Sequence, residues 1–259
     1  MQKNPLKTAA VIANYNNGDQ IKDCLDGLAK QTVKPNGIFI VDDGSTDGSQ
    51  LKIIETCGLY ETVLKSPVQG HPLMIGTYSG ITVLSCFLPK NQGPSAARNV
   101  ALQYLVNNVD VICIADADDI YYPRKIEESL DVMQKYPHVA LVYSDYEVYD
   151  TSTGKAKREY KEPYSYDRLS EECIVSNNSL IASNILKTVG GYDEAIRGGE
   201  DYDLWLRISE NACIYHIPKA LYQYTITGKN ATIVTPKDKF AADIAMVHRK
   251  AMLRRNKGG

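Results

Sequence analysis

The stretch Val111–Tyr122, VICIADADDIYY, runs apolar from Val111 to Ala115 and then delivers three carboxylates, Asp116, Asp118 and Asp119. A buried strand that carries Ile112 and Ile114 to its end sets Asp116 and Asp118 at i and i+2, on one side of the chain. Two carboxylates so placed suit one hard divalent ion. Mg2+ or Mn2+ takes oxygen ligands from one or two carboxylates and fills its other positions with water and substrate phosphates. The competing reading is a solvated acidic turn capping the helix that Pro123 begins, a role that fits Asp119 best.

Outward from this stretch, apolar runs and helical periods alternate. Ala9–Ala13 (AAVIA) reads as a first buried strand, and Asn14–Gly18 (NYNNG) as the turn leaving it. Ile21, Leu25 and Leu28 then recur at helical spacing, with Asp19 placed to cap the helix. Ile38–Val41 reads as the second strand and Asp42–Ser49 (DDGSTDGS) as a turn of small residues, with a helix through Leu51, Ile54 and Cys57 behind it. Residues 66–80 have no period and are rich in Gly and Pro, which predicts a surface loop or insertion. A strand at Ile81–Leu88 leads into Asn91–Asn99 (NQGPSAARN), where Ser95 is placed to cap a helix carrying Val100 and Leu105. This alternation argues an α/β fold: a doubly wound, mostly parallel sheet with helices on both faces, whose ligands sit at the carboxyl ends of the strands. The acidic turns at 42–49 and 116–119 then share one edge.

Downstream, the pattern predicts a helix over 124–136 and a strand at Ala140–Ser144, followed by a polar, Tyr-rich hairpin over 145–166. Ser176–Ile181 reads as a strand and Asn184–Val189 as a short helix stopped by Gly190 and Gly191. Glu200–Ser209 (EDYDLWLRIS) starts a helix with carboxylates in its first turn, where they complement the macrodipole. The tail, Pro236–Lys257, is helical, with Phe240, Ile244, Val247 and Ala251 on one stripe and Arg249, Lys250, Arg254 and Arg255 gathered late. Such a helix docks on its domain with a solvated basic end, or lies on an anionic membrane surface.

Composition narrows the function classes. At 259 residues and 44% hydrophobic, the chain suits one domain with a full core. A net charge of -2 gives no footprint for nucleic acid. The six cysteines are widely spaced without a C-x-x-C pair, which argues against zinc; Cys86 and Cys113 sit in apolar runs, as reduced core cysteines do. With no apolar signal core in MQKNPLKTAA and no run of about eighteen apolar residues, the expectation is a cytoplasmic protein that does not span a membrane. The turn from Asp43 mimics a calcium loop, but its twelfth position is Ile54, where a bidentate Glu is required. Neither G-x-G-x-x-G nor G-x-x-x-x-G-K-[ST] follows a strand, so a bound nucleotide needs a metal for its diphosphate.

Five segments carry a resemblance. VIANYN (11–16), VDDGSTDGS (41–49), NQGPSAARN (91–99), ADADD (115–119) and GGEDYDLWLR (198–207) resemble, in order and spacing, the pattern of family 2 glycosyltransferases across residues 8–232. The resemblance implies a GT-A fold in one domain over 1–235, with a nucleotide-sugar-binding half (1–119) and an acceptor-binding half (120–235); the residues of the tail make 236–259 a C-terminal basic amphipathic helix beyond it. It implies sugar transfer with inversion from a nucleotide-diphosphate sugar, UDP first by family habit, to a saccharide or lipid-linked saccharide acceptor. Peripheral membrane contact would then run through the C-terminal helix. Ala13 and Tyr15 would cradle the base, Asp43 contact it and Arg98 complete its pocket. Asp116 would face the ribose or the metal, Ala117 would join it in the nucleotide-sugar site, and Asp118 would bind Mn2+ or Mg2+ at the diphosphate. Asp201 would be the general base and Glu200 would orient the site. Trp205 has two readings, core or acceptor wall.

The chemistry reaches the same base independently, since an inverting displacement needs one carboxylate to deprotonate the acceptor hydroxyl. Without the upstream motifs, Glu200, Asp201 and Asp203 read as plain helix N-terminal charge. One departure stands out: Thr227 lies where family members often carry a histidine ligand, and His216, in IYHIP, reads as structural. Two rivals remain. A nucleotidyltransferase lacks its basic phosphate loop here, because NYNNGDQ holds no Lys or Arg. A catalytically inactive sugar-nucleotide-binding protein fits the Thr227 departure but not the intact Asp118 and Asp201.

Overall fold

A computed structural model describes residues 5–68 and 70–256. The first half runs β1 (Thr8–Asn14), α1 (Ile21–Ala29), β2 (Gly37–Asp42), α2 (Ser49–Cys57), β3 (Tyr60–Glu61), β4 (Leu73–Tyr78), β5 (Ile81–Phe87) and α3 (Pro94–Leu105). The acidic stretch follows as β6 (Val111–Asp116), β7 (Ile120–Tyr121) and α4 (Lys125–Lys135). The second half holds β8 (Val139–Asp150), β9 (Lys155–Glu159), α5 (Tyr166–Glu171), β10 (Leu180–Ala182), α6 (Ser183–Val189), α7 (Glu200–Ser209), β11 (Cys213–Ile226), α8 (Ala231–Val234) and α9 (Lys237–Arg255).

Among the described residues all strands join one sheet in the order β3-β4-β5-β2-β1-β6-β10-β8-β11-β7, with β9 paired to β8. The strands β5, β2, β1 and β6 are mutually parallel. The short β10 runs antiparallel to both neighbours, so β8 and then β11 point the same way as β6. Parallel strands buried on both faces read as near-continuous apolar runs, which is why AAVIA and VICIA were legible as strands. Alternate residues feed two cores. Ala9, Val11, Ile112 and Ile114 face one with Tyr143, Trp205 and Val247, whereas Ala10, Ile12 and Cys113 face the other with Leu25 and Ile126. The last residues of β2 and β6 are Asp42 and Asp116, so both acidic turns leave the sheet at one edge.

Several expectations are corrected. Residues 73–78, expected in a loop, form β4, antiparallel to β5 through a tight turn at Ser79 and Gly80. Gly76 within it passes so close to the Cys57 carbonyl that a Cβ has no room. Gln69, in the same predicted loop, lies outside the described residues. Asp19 does not cap α1; Gln20 holds that position without a side-chain cap, and Asp19 pairs with Lys52 at 2.5 Å. Ser95 lies inside α3, which begins at Pro94 behind Gly93. The buried positions of α2 are Ser49, Ile53 and Cys57, and Leu51 is exposed. The strand expected at 176–181 shrinks to β10, because Asn177 and Asn178 turn their amides to neighbouring carboxylates.

The tail helix docks. Val247 and Ala251 enter the core, Lys250 pairs with Asp193, and Arg254 Nε donates to Glu210 at 2.8 Å. Its expected reach to Lys257 lies outside the described residues. No helix among them is long and apolar enough to cross a membrane. All six cysteines are unpaired.

Lys125, the first residue of α4, is fully buried, with Nζ donating to Ser144 Oγ at 2.9 Å and 5.3 Å from the Tyr222 ring centre. Burial pushes its ammonium down from 10.5 to about 7. Between those values the unfolded chain holds the proton and the folded chain has lost it, so stability rises with pH through that window and is lowest below pH 7. Lys125→Met is expected to stabilise the fold by about 1–3 kcal/mol at pH 6 and by less at pH 9. Urea denaturation at the two pH values checks it, and an equal gain at both would discount the titration.

Candidate active site

One side of the candidate site is built from the ends of β1 and β2. Asn14, the last residue of β1, donates from Nδ2 to Asp42 Oδ2 at 2.7 Å, while Asp42 Oδ1 accepts from the Ser45 amide at 3.0 Å and Gln50 Nε2 at 2.9 Å. These bonds fold the DDGSTDGS turn back on itself. Asp43 accepts instead from the amides of Gln92 and Gly93, both at 2.7 Å, which ties the turn to the start of α3. Burial raises its pKa against those two bonds. Gly44 sits at φ 71 where a Cβ would stand 2.5 Å from the Lys90 carbonyl carbon, so the two loops meet backbone to backbone. Ala13 is half-buried near the end of β1, and Tyr15 lies just beyond it with 44% of its surface exposed.

Arg98, on α3, is the electrostatic hub. Its Nη2 donates to Asp116 Oδ1 at 2.7 Å and its Nη1 to Glu200 Oε1 at 2.9 Å. The guanidinium also lies 5.2 Å from the Tyr192 ring centre. The expectation that Arg98 completes the base pocket is therefore corrected. Both arms hold carboxylates, because two acids this buried need a shared cation.

The acidic stretch differs from a simple strand end. The strand β6 stops at Asp116, so Asp118 lies in the following turn rather than at i+2 along a strand. Asp116 Oδ2 accepts from Asn177 Nδ2 at 2.5 Å, which engages both its oxygens. Asp118 Oδ2 accepts from Asn230 Nδ2 at 3.0 Å. Burial, and then the charge of Asp116, push Asp118 up to about 6. Ala117 packs its methyl into the core, so only its backbone is available at the site. Asp119 is not a helix cap. It is 2% exposed and accepts from Asn178 Nδ2 at 2.5 Å and the Thr225 amide at 3.0 Å, pinning the turn to β11.

The three acids that open α7 have three fates. Glu200 is held by Arg98. Asp203 is buried under Arg207, 2.7 Å away, and Arg254, 3.4 Å away, and braces the helix. Asp201 forms no salt bridge among the described residues and accepts only the neighbouring Tyr202 amide at 2.8 Å. The residue is partly exposed, yet burial of its carboxyl among protein atoms, and then the charge of Glu200, push it up to about 7. Trp205 is fully buried in the core, which corrects the acceptor-wall reading.

The residue that reaches Asp118 from beyond β11 is Asn230, not Thr227. Thr227 donates its amide to Asn230 Oδ1 at 2.8 Å, and Asn230 in turn also donates to the Thr225 carbonyl at 2.8 Å. His216 stays structural, 2.8 Å from Asp145 and stacked on Tyr143. The site thus uses Asn177, Asn178 and Asn230, which the motifs did not indicate. The polar run SNNS at 176–179, set against an apolar strand, was the available signal.

Among the described residues no three His, Cys, Asp or Glu side chains converge on one point. The donor set still suits a hard cation of low protein coordination. Asp118 and Asp116 are hard oxygen donors whose mutual repulsion raises Asp118, and a divalent ion relieves that repulsion while leaving positions for water and phosphate.

The profile described as "Glycosyl transferase family 2" matches residues 9–187. Chondroitin synthase of Escherichia coli is 26% identical over 223 residues, 86% of this chain and 29% of that protein. Hyaluronan synthase of Pasteurella multocida is 25% identical over 223 residues, 86% of this chain and 21% of that protein. This chain therefore spans less than a third of either synthase. S. aureus TarS (residues 1–349) in complex with UDP-GlcNAc superposes with a TM-score of 0.70 at 19% identity, over 93% of this chain and 65% of that one. The mannosyltransferase PcManGT of Pyrobaculum calidifontis, in complex with GDP-Man and Mn2+, gives 0.68 at 16% identity, over 96% and 65%. Strand order, acidic turns and sequence profile converge: this α/β domain has the GT-A fold and belongs to glycosyl transferase family 2.

Proposed function

We propose that this chain transfers a sugar, with inversion, from a nucleotide-diphosphate sugar to a hydroxyl of a saccharide or lipid-linked saccharide acceptor, with Asp201 as the general base. The observation that carries the reading is the state of Asp201. It is the one acid of its helix turn without a cation, it is raised toward neutrality, and Glu200 and Arg98 link it to Asp116. A base poised near the working pH is what proton abstraction from a hydroxyl requires.

Each residue then has a task. Asp43, fixed by two amides, contacts the nucleobase beside Ala13 and Tyr15. Arg98 fixes Asp116 and Glu200 so that donor and base keep one spacing. Asp201 removes the acceptor proton as the acceptor oxygen bonds the anomeric carbon, and the bond from that carbon to the phosphate oxygen breaks with its electron pair leaving on the diphosphate. Asp118, with Asp116, would hold Mn2+ or Mg2+, which when bound supplies positive charge at the leaving diphosphate. The unpaired buried cysteines support a reducing, cytoplasmic setting.

Incubation with UDP-, GDP- and dTDP-sugars, with Mn2+ or Mg2+ and with chelator, tests the reading through slow donor hydrolysis. Hydrolysis of one donor class names the nucleotide, and binding without turnover of any donor would favour an inactive sensor. Because Asp201 must be deprotonated to act, kcat is expected to rise with pH through an apparent pKa near 7 and then level off. Glu200→Gln removes the neighbouring negative charge, so the rising limb should move to lower pH. A limb that stays in place would assign it to another group.

A further inference from the structure

A second opening lies at the edge formed by β8 and β11, where residues 160–164, between β9 and α5, pass over the sheet. It is a cleft of about 670 Å³ with Tyr160, Tyr164 and Tyr215 in its walls and Asp145 and His216 at its floor. Tyr160 is 71% exposed, with the Arg158 guanidinium 5.2 Å from its ring centre on one side, so its other face is available to a ligand; Tyr215 points to the opposite side of β11 from His216 and stacks on Tyr136. The floor is stiff. His216 Nε2 lies 2.8 Å from Asp145 Oδ1, the His216 ring stacks on Tyr143, and Asp145 also accepts from the Lys161 amide at 2.9 Å.

The sheet register places this cleft relative to the catalytic edge. Cys113 pairs with Leu180 and Leu180 with Val142, so Asp116 and Asp145, each three residues further on, stand level with one another. Two strand spacings separate them, about 10 Å. Ile114 and Tyr143 feed the same core, so Asp116 and Asp145 leave the sheet on the same face, the face that α7 covers. The donor turns leave β1 and β2, three and four places away from β8 in the sheet, so a nucleotide held there does not reach the cleft.

We propose that this cleft is a saccharide subsite that binds acceptor rings remote from the reacting hydroxyl. The open face of Tyr160, with Tyr164 beside it, takes the apolar C–H face of a pyranose ring, and the Asp145 carboxylate, held in place by the His216 Nε2–H, offers an acceptor to its hydroxyls. A mostly apolar wall with few convergent polar groups is the usual build of a small-ligand site. The assignment of these rings to an acceptor rests on the transferase reading of Asp201.

The test is binding of the whole chain to immobilised chito-, malto-, cello- and manno-tetraose, with Tyr164→Ala and Tyr160→Ala beside it. Tyr164 is half-buried against the core, and the largely exposed Tyr160 supplies a variant with little folding cost. At least one saccharide is expected to bind, with Kd raised at least about tenfold in both variants, the loss expected when an aromatic face is removed. Binding unchanged in both variants, or no binding to any of the four, overturns the proposal. Donor hydrolysis by the unmutated chain separates the two readings. Binding through the cleft without hydrolysis keeps a saccharide site and removes the transferase, and hydrolysis with cleft-independent binding does the reverse.

Discussion

Asp201→Asn is expected to lower kcat by about 10³-fold while leaving donor Kd within about twofold. The substitution keeps shape and removes only the ability to take a proton. No salt bridge is lost, because Asp201 makes none among the described residues. The amide also removes a carboxyl that Glu200 repels, so the fold should be no less stable. Isothermal titration with the donor, stopped-time transfer assays and a thermal melt separate these three effects. Parallel loss of donor binding would move Asp201 out of the base role and into the donor site.

The second large effect is on stability. Arg98→Met strands Asp116 and Glu200, whose oxygens Arg98 now meets at 2.7 and 2.9 Å, and should destabilise the domain by about 3–5 kcal/mol. Lysine is a poor rescue, since one ammonium lacks the planar fork that reaches both acids. Adding Glu200→Gln to Arg98→Met should recover part of the loss, because one of the two stranded charges is gone. Urea denaturation of the single and double variants reads this coupling. Full additivity would show that Arg98 and Glu200 do not sense each other in solution.

The parts of this site that were legible in the sequence share one physical cause. Central parallel strands are apolar on both faces, so AAVIA, IFIV and VICIA stand out, and polar residues at their ends must lie at the sheet edge. That logic puts Asp43, Asp116 and Asp118 at one edge on the sequence alone. It also read Glu200–Ser209 as a helix with its acids at the start, close to what α7 shows. Amide side chains escape it. Asn177 and Asn178 reach Asp116 and Asp119 from about sixty positions away, and Asn230 reaches Asp118 from 112, with no spacing rule to mark them. The role of Arg98 was hidden for the same reason, because Glu200 lies 102 positions away along the chain. β4 escapes the pattern because Gly76, which the close approach of the Cys57 carbonyl requires, interrupts the alternation of LMIGTY.

The turn that launches the base helix has a cover that comes late in the chain. A Cβ on Gly198 would stand 2.9 Å from Phe240 Cδ2, and one on Gly199 would stand 2.7 Å from Ile244 Cδ1, so α9 lies against both glycines. During synthesis the whole central sheet can assemble while residues 237–255 are still inside the ribosome. The turn carrying Asp201 receives its packing only afterwards. If Asp201 is the base proposed above, a nascent chain completes its sheet before that carboxylate is firmly seated, and a chain stalled short of α9 is expected to lack transfer activity.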